Sequence, residues 1–248
     1  MTYLSSRQAA YRGLVVPLFM LMLLLASQAL AGSFSVSPTR VVLSAQDNVV
    51  ALRVRNTGAG ETSVQVELQA WRQEGGQDIY TPSREVLATP PIFTLAPGQT
   101  QMLRVGLRRP PAQDTQLSYR LFLQELPPPS ADDFQGLRMS LRISLPVFVA
   151  PASGVAAPHM HWRVERASGG EWHLSADNRG NGHGQVSRLR VRLPDGRTLQ
   201  PSGNAYVLPG ATQRWRLSPG SPLPAAGSEL VITAGVNGQE TASHLQVE

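Results

Sequence analysis

The chain has 248 residues, 42% of them hydrophobic, and it contains no cysteine, which excludes a disulfide framework and catalysis by a cysteine nucleophile. All 22 basic residues are arginines, and although they outnumber the 17 acidic residues they are scattered along the chain, which argues against a nucleic-acid-binding surface. Arginine also suits the capture of carboxylates, because its planar guanidinium can bind both oxygens.

Residues 1–31 have the pattern of a secretory signal peptide. Arg7 and Arg12 precede an apolar run, and Ala29-Leu30-Ala31 places small residues ahead of the expected cleavage point. We therefore expect cleavage before Gly32 and export of the remainder. The apolar run is too short for a membrane span, so membrane insertion of the mature protein is not expected, and an uncleaved anchor is the alternative.

Short runs of alternating apolar and polar residues recur along the rest of the chain, and no long stretch has helical periodicity. Gly, Pro and Asn clusters separate these runs. The pattern predicts an all-β protein, and residues 32–150 have the length of one immunoglobulin-like sandwich. Its predicted strands cover residues 34–43 with an interruption at Pro38, 49–55, 62–71, a short segment near Ile79, 101–108, 118–126 and 136–149.

A second β domain is predicted after a short linker. Residues 151–158, PASGVAAP, are small, polar and flanked by proline, as is typical of a linker, and the second domain covers residues 159–248. Gly-Gly, Asn-Gly and Asp-Gly turns separate its strands. Those predicted strands cover residues 162–166, 172–178, 186–193, 212–217, 230–236 and 242–247.

The last strand of the first domain, within GLRMSLRISLPVFV, has an apolar row longer than an average strand needs. The alternate apolar residues of this row are Leu137, Met139, Leu141, Ile143, Leu145 and Val147. The pattern alone favours burial of the whole row in the protein's own core, since most alternating strands are half buried. The alternative is that part of the row packs against a partner.

No constellation of residues supports an enzyme. The sequence lacks a Gly-x-Ser-x-Gly elbow, a P-loop and a His-Glu-x-x-His motif. His159 and His161 have a spacing that can bind a metal ion, but no set of carboxylates or cysteines completes a site. Asp132-Asp133 lies in a predicted loop, where solvated charge is expected. We therefore predict no catalytic residue, no metal and no cofactor.

Six segments of the first domain form an ordered set that covers nearly all of it. They are SVSPTRVVLS, VRNTG, QAW, ATPPIFTLAPGQTQMLRV, YRLFLQELP and LRMSLRISLPVFVAP. In this order and spacing they resemble the periplasmic chaperones of the chaperone–usher pathway, which assemble pili and related surface fibres. The SLPVF ending is similar to the archaic or alternative branch of that family. The resemblance implies two immunoglobulin-like domains in a boomerang, with a cleft between them.

The resemblance also implies a function for the last strand of the first domain. In the family this strand lies at an exposed edge and completes a pilus subunit that lacks its own final strand, which is a form of β-augmentation. The donor row implied by position is Leu137, Met139, Leu141 and Ile143. Leu145 and Val147 would rejoin the chaperone's own core. The protein would bind one pilus or fimbrial subunit, one-to-one, in the periplasm and deliver it to an outer-membrane usher.

A cationic anchor for the subunit's C-terminal carboxylate is implied as well. The family's arginine on the first strand corresponds to Arg40, in SPTRVV. The lysine that well-studied members have on the last strand is replaced here by Pro146. We predict Arg120 as the substitute, because the hairpin register places it opposite roughly Ile143 to Leu145.

Several alternatives stay open. Arg120 alternatively forms a surface ion pair with Glu85 or another acid, and Arg104 is a weaker third candidate for the anchor. Ala150 stands where well-studied members have an arginine before the linker, so different contacts are expected to set the interdomain angle.

The second reading of the whole protein is a secreted structural or adhesive protein with tandem immunoglobulin-like domains that bind a surface protein or a carbohydrate. Tryptophans of the second domain would provide the carbohydrate platform, although core packing is the better default for such residues. The tryptophans in question are Trp162, Trp172 and Trp215.

Overall fold

The computed structural model describes residues 34–127, 140–166, 171–217, 225 and 227–247, so the predicted signal peptide lies outside the described residues. All regular structure in these ranges is β-strand, which confirms the predicted all-β class. None of the described segments contains a helix long and apolar enough to cross a membrane. The strands form four sheets, which pack in pairs around two hydrophobic cores.

The first sandwich contains ten strands. They are β1 (Phe34–Ser37), β2 (Val41–Leu43), β3 (Val49–Asn56), β4 (Thr62–Glu74), β5 (Gln77–Pro82), β6 (Val86–Thr89), β7 (Ile92–Leu95), β8 (Thr100–Leu107), β9 (Leu117–Leu126) and β10 (Arg142–Val149). One sheet has the order β1-β3-β8-β6. The other has the order β2-β10-β9-β4-β5, and β7 pairs with β4 beside that path.

The second sandwich contains the remaining strands of the described residues. They are β11 (Met160–Arg166), β12 (Trp172–Asn178), β13 (Gly184–Arg192), β14 (Thr198–Leu199), β15 (Ala205–Val207), β16 (Thr212–Leu217), β17 (Glu229–Val236) and β18 (Gln239–Gln246). One sheet has the order β11-β12-β16. The other has the order β14-β13-β17-β18, and β15 pairs with β13.

The predicted first strand divides at Pro38, and its two halves join opposite sheets. β1 pairs antiparallel with β3, whereas β2 pairs parallel with β10. Val41 and Leu43 are fully buried between the sheets. Residues 38–40 belong to neither strand, so Arg40 lies where the chain enters the second sheet.

In both domains most predicted strands agree with the structure to within three residues at each end. The exception is the last strand of the first domain, predicted over residues 136–149: β10 begins at Arg142, residues 140 and 141 are not in a strand, and residues 136–139 lie outside the described residues. Four observed strands, β6, β7, β14 and β15, are absent from the prediction. Each has four residues or fewer, which is too short for apolar alternation to be recognised. β6 and β7 also flank Pro90-Pro91, which the sequence marks as a break.

The tryptophans of the second domain lie in its core. Trp162, Trp172 and Trp215 are all buried, and the rings of Trp162 and Trp215 lie 5.8 Å apart between centroids. The prediction of core packing is therefore confirmed. The alternative carbohydrate platform is wrong, because a sugar must stack on an accessible ring face.

Candidate functional site at a free strand edge

One side of β10 is only partly covered by other strands. β9 pairs with all of β10, from Arg142 to Val149. On the opposite side, β2 pairs with Val147 and the two residues that follow it. Within the described part of the chain, residues 142–146 therefore have no strand on their outer side. We call residues 142–146 the free edge.

The backbone groups of the free edge alternate in direction. The Glu125 N–H donates to the Leu141 carbonyl at 2.8 Å, so the odd-numbered residues of this segment turn their backbone groups toward β9. By the same alternation Arg142, Ser144 and Pro146 turn theirs outward. A proline at position 146 removes no hydrogen bond to β9, because its missing N–H would have pointed away from that strand.

The structure gives a partial view of the predicted donor row. Leu137 and Met139 lie outside the described residues. Leu141 and Ile143 are partly buried and pack against the margin of the first core, so each retains accessible apolar surface. Their placement beside the free edge agrees with the predicted position of the row, and their donor role stays a prediction.

The rest of the row follows the expectation for the protein's own core. Leu145 is 5% exposed and Val147 is fully buried between the two sheets. The prediction that these two residues rejoin the core is confirmed. Burial of the odd-numbered residues thus increases from the partly buried Leu141, just before β10, to the fully buried Val147 within it.

Pro146 lies between two arginines. Arg120 pairs directly with Pro146 across the β9–β10 ladder. The predicted register, opposite Ile143 to Leu145, was therefore wrong by one residue. The predicted register assumed a connection over residues 127–136. The hydrogen bond between Glu125 and Leu141 requires a longer connection, and a longer connection moves the register toward the end of β10.

Arg40 lies on the other side of Pro146. It directly precedes Val41, which pairs with Val147 in the parallel β2–β10 ladder, so Arg40 lies alongside Pro146. Arg40 is exposed, and its Nη2 donates to Gln185 Oε1 of β13 at 2.6 Å.

Arg120 contacts Tyr206, which pairs with Gln185 in the second sandwich. Its guanidinium carbon lies 3.9 Å from the ring centroid of Trp71 and 5.2 Å from that of Tyr206, both within cation–π distance. Tyr206 of β15 pairs with Gln185 of β13. The two predicted anchor residues, Arg40 and Arg120, therefore contact the paired residues Gln185 and Tyr206 of the second sandwich. We call Arg40, Arg120, Gln185 and Tyr206 the arginine site.

Neither arginine of this site has a carboxylate within 4.0 Å among the described residues. Glu85 pairs instead with Arg109 at 2.9 Å and accepts the Tyr119 hydroxyl at 2.6 Å. The alternative ion pair between Arg120 and Glu85 is therefore wrong. Among the described residues, no acidic side chain neutralises the charge of Arg40 or Arg120.

The third candidate lies elsewhere. Arg104 is exposed on β8, where it pairs with Ala51 and Thr89 in the opposite sheet of the first sandwich. The sheet order separates β8 from both β9 and β10. Arg104 is thus not part of the arginine site.

A histidine next to the arginine site carries no charge at neutral pH. The His183 ring stacks on Phe148 with centroids 3.6 Å apart, and its Nδ1 lies 2.6 Å from Gln116 Oε1. Burial, assisted by the nearby charge of Arg40, lowers the pKa of His183 from 6.5 to about 4. The imidazole therefore adds apolar contact to the site and no charge.

A tyrosine borders the site on the side of Arg120. The Tyr80 hydroxyl donates to Asp78 at 2.9 Å. Burial raises the pKa of Tyr80 and the Asp78 carboxylate adds to this, whereas the charge of Arg120 acts in the opposite direction. Tyr80 is therefore neutral near pH 7 and leaves the positive charge of Arg120 in place.

Neutral amides hold the two sandwiches together. Gln73 Nε2 donates to the Tyr206 carbonyl at 2.9 Å, and the Leu208 N–H donates to Gln73 Oε1 at 2.9 Å. The His183 N–H donates to Gln116 Oε1 at 2.9 Å. These bonds confirm that contacts other than an arginine at position 150 connect the domains.

The histidine pair suggested by sequence does not gather further ligands. In the ranges that the structure covers, no group of three or more His, Cys, Asp or Glu side chains is placed to hold a metal ion. His159 and His161 are both exposed. Asp132-Asp133 lies outside the described residues.

The residues through which the first sandwich contacts the second were not predicted from the sequence. Trp71 and Phe148 are 4% and 0% exposed, and both belong to the core cluster of the second sandwich. Each lies on the face of its strand that is turned away from the first core. β4 buries even-numbered residues such as Val64 and Val66 in that core, and β10 buries its odd-numbered residues there. A large apolar residue on the polar face of a strand is the signal that could have revealed this contact. Gln185 gives no comparable signal.

The first sandwich matches a known protein family. Residues 33–154 match the family described as pili and flagellar-assembly chaperone, PapD N-terminal domain. Residues 33–154 are a PapD-type chaperone domain. This match confirms the resemblance found in the sequence, and it agrees with the expectation that the protein is not an enzyme.

Two curated relatives each match about half of this chain. The chaperone protein LpfB of Salmonella typhimurium is 28% identical over 132 residues, which are 52% of this chain and 54% of LpfB. A probable fimbrial chaperone LpfB of Escherichia coli O157:H7 is 28% identical over 135 residues, which are 53% and 56% of the two chains. The matches span about half the length of these relatives.

Solved structures extend the likeness to both sandwiches. The Acinetobacter baumannii complex of the chaperone CsuC with the tip adhesion subunit CsuE, from archaic chaperone–usher pili, matches with a TM-score of 0.67 at 20% identity and covers 86% of this chain and 98% of that chain. The Pseudomonas aeruginosa CupB2 chaperone matches with a TM-score of 0.57 at 20% identity and covers 86% and 100%. At this identity the likeness establishes the fold, and it confirms two immunoglobulin-like sandwiches.

Proposed function

We propose that the protein is a periplasmic chaperone that binds one pilus or fimbrial subunit through the free edge and passes it to an outer-membrane usher. The observation that carries the proposal is the free edge itself, which contains the half-buried Ile143 and directly follows the half-buried Leu141. Proteins normally block such an edge, because an unpaired strand invites association with other chains. A chaperone for incomplete sandwiches needs an edge of this kind.

The free edge offers two of the interactions that an incomplete subunit lacks. Outward backbone groups of Arg142 and Ser144 can extend a partner's sheet. The accessible parts of Leu141 and Ile143 can enter an apolar trough, where each fully buried side chain contributes about 1.5–3 kcal/mol. Leu137 and Met139 would continue the same row by sequence.

The arginine site offers the third interaction, which fixes the register of the partner. Arg40 and Arg120 lie on either side of Pro146, at the covered end of the free edge. A C-terminal carboxylate bound there would meet two guanidinium groups with no competing acid among the described residues. Such charge-assisted, bidentate hydrogen bonds are about twice as strong as neutral ones. A subunit's last strand would then begin its pairing at a defined point.

The proposed periplasmic location rests on the sequence, and the proposed usher rests on the family resemblance. The segment 1–31 predicts export, and the family consists of assembly chaperones. The binding mechanism needs no cofactor, since strand pairing and ion pairing supply all of its interactions. Release would follow when the strand of another subunit replaces β10 in the trough.

Co-purification tests the proposed function. We would export a tagged copy in its native host and determine the mass and stoichiometry of the purified species. The proposal predicts a complex with one pilus or fimbrial subunit per chaperone, and no polymer of the chaperone itself. Recovery of the chain without a subunit from cells that assemble the fibre would contradict it.

A further inference from the structure

Gln185 is the residue of the second sandwich that holds Arg40. The bond from Arg40 Nη2 to Gln185 Oε1 is 2.6 Å long and joins residues 145 positions apart. The backbone of Gln185 is fixed independently: its N–H donates to Asn237 Oδ1 at 2.7 Å, and the Asn237 N–H donates to its carbonyl at 3.0 Å. The side chain of Gln185 can therefore be replaced without removing the bonds that place its strand.

The chemistry of the amide matters for what Arg40 can bind. A glutamine accepts a hydrogen bond from the guanidinium without cancelling its positive charge. Of the five N–H donors of a guanidinium, one is used by Gln185, and the described residues contain no acceptor for the others. A carboxylate at position 185 would occupy the same donor but would neutralise Arg40. The amide thus holds the cation and leaves it able to attract an anion.

Arg40 needs such support because its own segment gives little. It is exposed and lies in residues 38–40, between β1 and β2. A long arginine side chain has many rotamers, and ordering it during binding weakens the affinity. A guanidinium that is already held by Gln185 avoids most of that loss.

We propose that Gln185 is a positioning residue for the carboxylate of the client, so that the binding site is formed by both sandwiches and not by the first alone. This inference rests on the proposed function. It assigns to the second sandwich a direct contribution to client affinity. It also links that affinity to interdomain contact, because Gln185 reaches Arg40 only when the two sandwiches are in place.

Titration with a small carboxylate tests the inference on the purified exported protein. The probes are N-acetylalanine, which carries a carboxylate, and N-acetylalanine amide, which does not. Affinity and the Nε–H resonance of Arg40 are followed by NMR for the native protein, Gln185→Leu and Gln185→Glu. Gln213→Leu, a glutamine on β16 with no contact to Arg40 among its hydrogen bonds, is the matched control.

The expected result has four parts. The native protein binds the acid and not the amide, Gln185→Leu binds the acid about three- to tenfold more weakly, Gln185→Glu binds it more weakly still, and Gln213→Leu equals the native protein. The Arg40 resonance should also shift in Gln185→Leu before ligand is added, because its hydrogen-bond partner is gone. A merely structural role would instead leave the affinity of Gln185→Leu for the acid equal to that of Gln213→Leu. Equal or tighter binding by Gln185→Leu, with native discrimination between acid and amide, would overturn the role of Gln185 alone. No discrimination by the native protein would overturn the carboxylate anchor as well.

Discussion

The imidazole of His183 lies face to face with the phenyl ring of Phe148, with centroids 3.6 Å apart and planes within 3° of parallel. Phe148 comes from β10 of the first sandwich and His183 directly precedes β13 of the second. The stack therefore joins the strand with the free edge to the strand that carries Gln185. Its stability depends on a neutral imidazole, because a buried charge next to Arg40 is unfavourable.

Acid should weaken this contact through His183. Its pKa is lowered from 6.5 to about 4 in the folded protein, mainly by burial and then by Arg40. The unfolded chain therefore binds more protons than the folded protein below pH 6.5, and stability falls as the pH decreases from about 6.5 toward 4. Urea unfolding at pH 7 and pH 4 should show a larger loss for the native protein than for His183→Asn, which cannot titrate. Equal losses in the two proteins would contradict this role, since carboxylates titrate in both.

The amide contacts between the sandwiches should be insensitive to salt. Gln73 makes two interdomain bonds at 2.9 Å without any ion pair. Gln73→Leu should lower the free energy of unfolding by about 1–3 kcal/mol, because it leaves backbone groups without partners. Thermal unfolding of Gln73→Leu and of the control Gln101→Leu, on β8, would measure this difference. A loss that disappears in 0.5 M salt would indicate an electrostatic contact instead.

Replacement of Arg40 should abolish client capture without unfolding the chaperone. Arg40 is exposed and contributes one side-chain bond to its own protein, so Arg40→Ala should change stability by less than about 1 kcal/mol. Recovery of the complex with the pilus subunit after export should nevertheless be lost. Arg104→Ala, at an exposed arginine of the opposite sheet, is the control and should retain full recovery. Undiminished yield with Arg40→Ala would reject the anchoring role.

Two positions on β10 should separate client binding from folding. Ile143→Ser removes partly accessible apolar surface on the free edge, so complex recovery should fall sharply while the protein stays folded. Leu145→Ala, at a side chain that is 5% exposed, should instead cost about 2–5 kcal/mol of stability. Circular dichroism and complex yield, measured on both variants, check the contrast. If Ile143→Ser unfolds the protein as readily as Leu145→Ala, residue 143 belongs to the core and not to a donor row.

Much of this arrangement could be predicted from sequence, because period-two apolar patterns are local. The alternation on β10 placed Leu145 and Val147 in the core correctly, and the resemblance to a family indicated Arg40. The register of Arg120 was shifted by one residue because the length of a connection is not encoded in the strands that it joins. Gln185 could not be predicted at all, since its partner is 145 positions away and an isolated glutamine is typical of any surface.

The backbone amides of β10 provide the most direct test of the free edge. In the free protein the amides of Arg142 and Ser144 should exchange rapidly with solvent, whereas those of Ile143 and Leu145, which face β9, should be protected. In the complex with a pilus subunit, the amides of Arg142 and Ser144 should become protected and those of Ile143 and Leu145 should change little. Hydrogen exchange followed residue by residue in both states measures this. Protection of Arg142 and Ser144 in the free monomer, or unchanged rapid exchange at both in the complex, would contradict strand donation by β10.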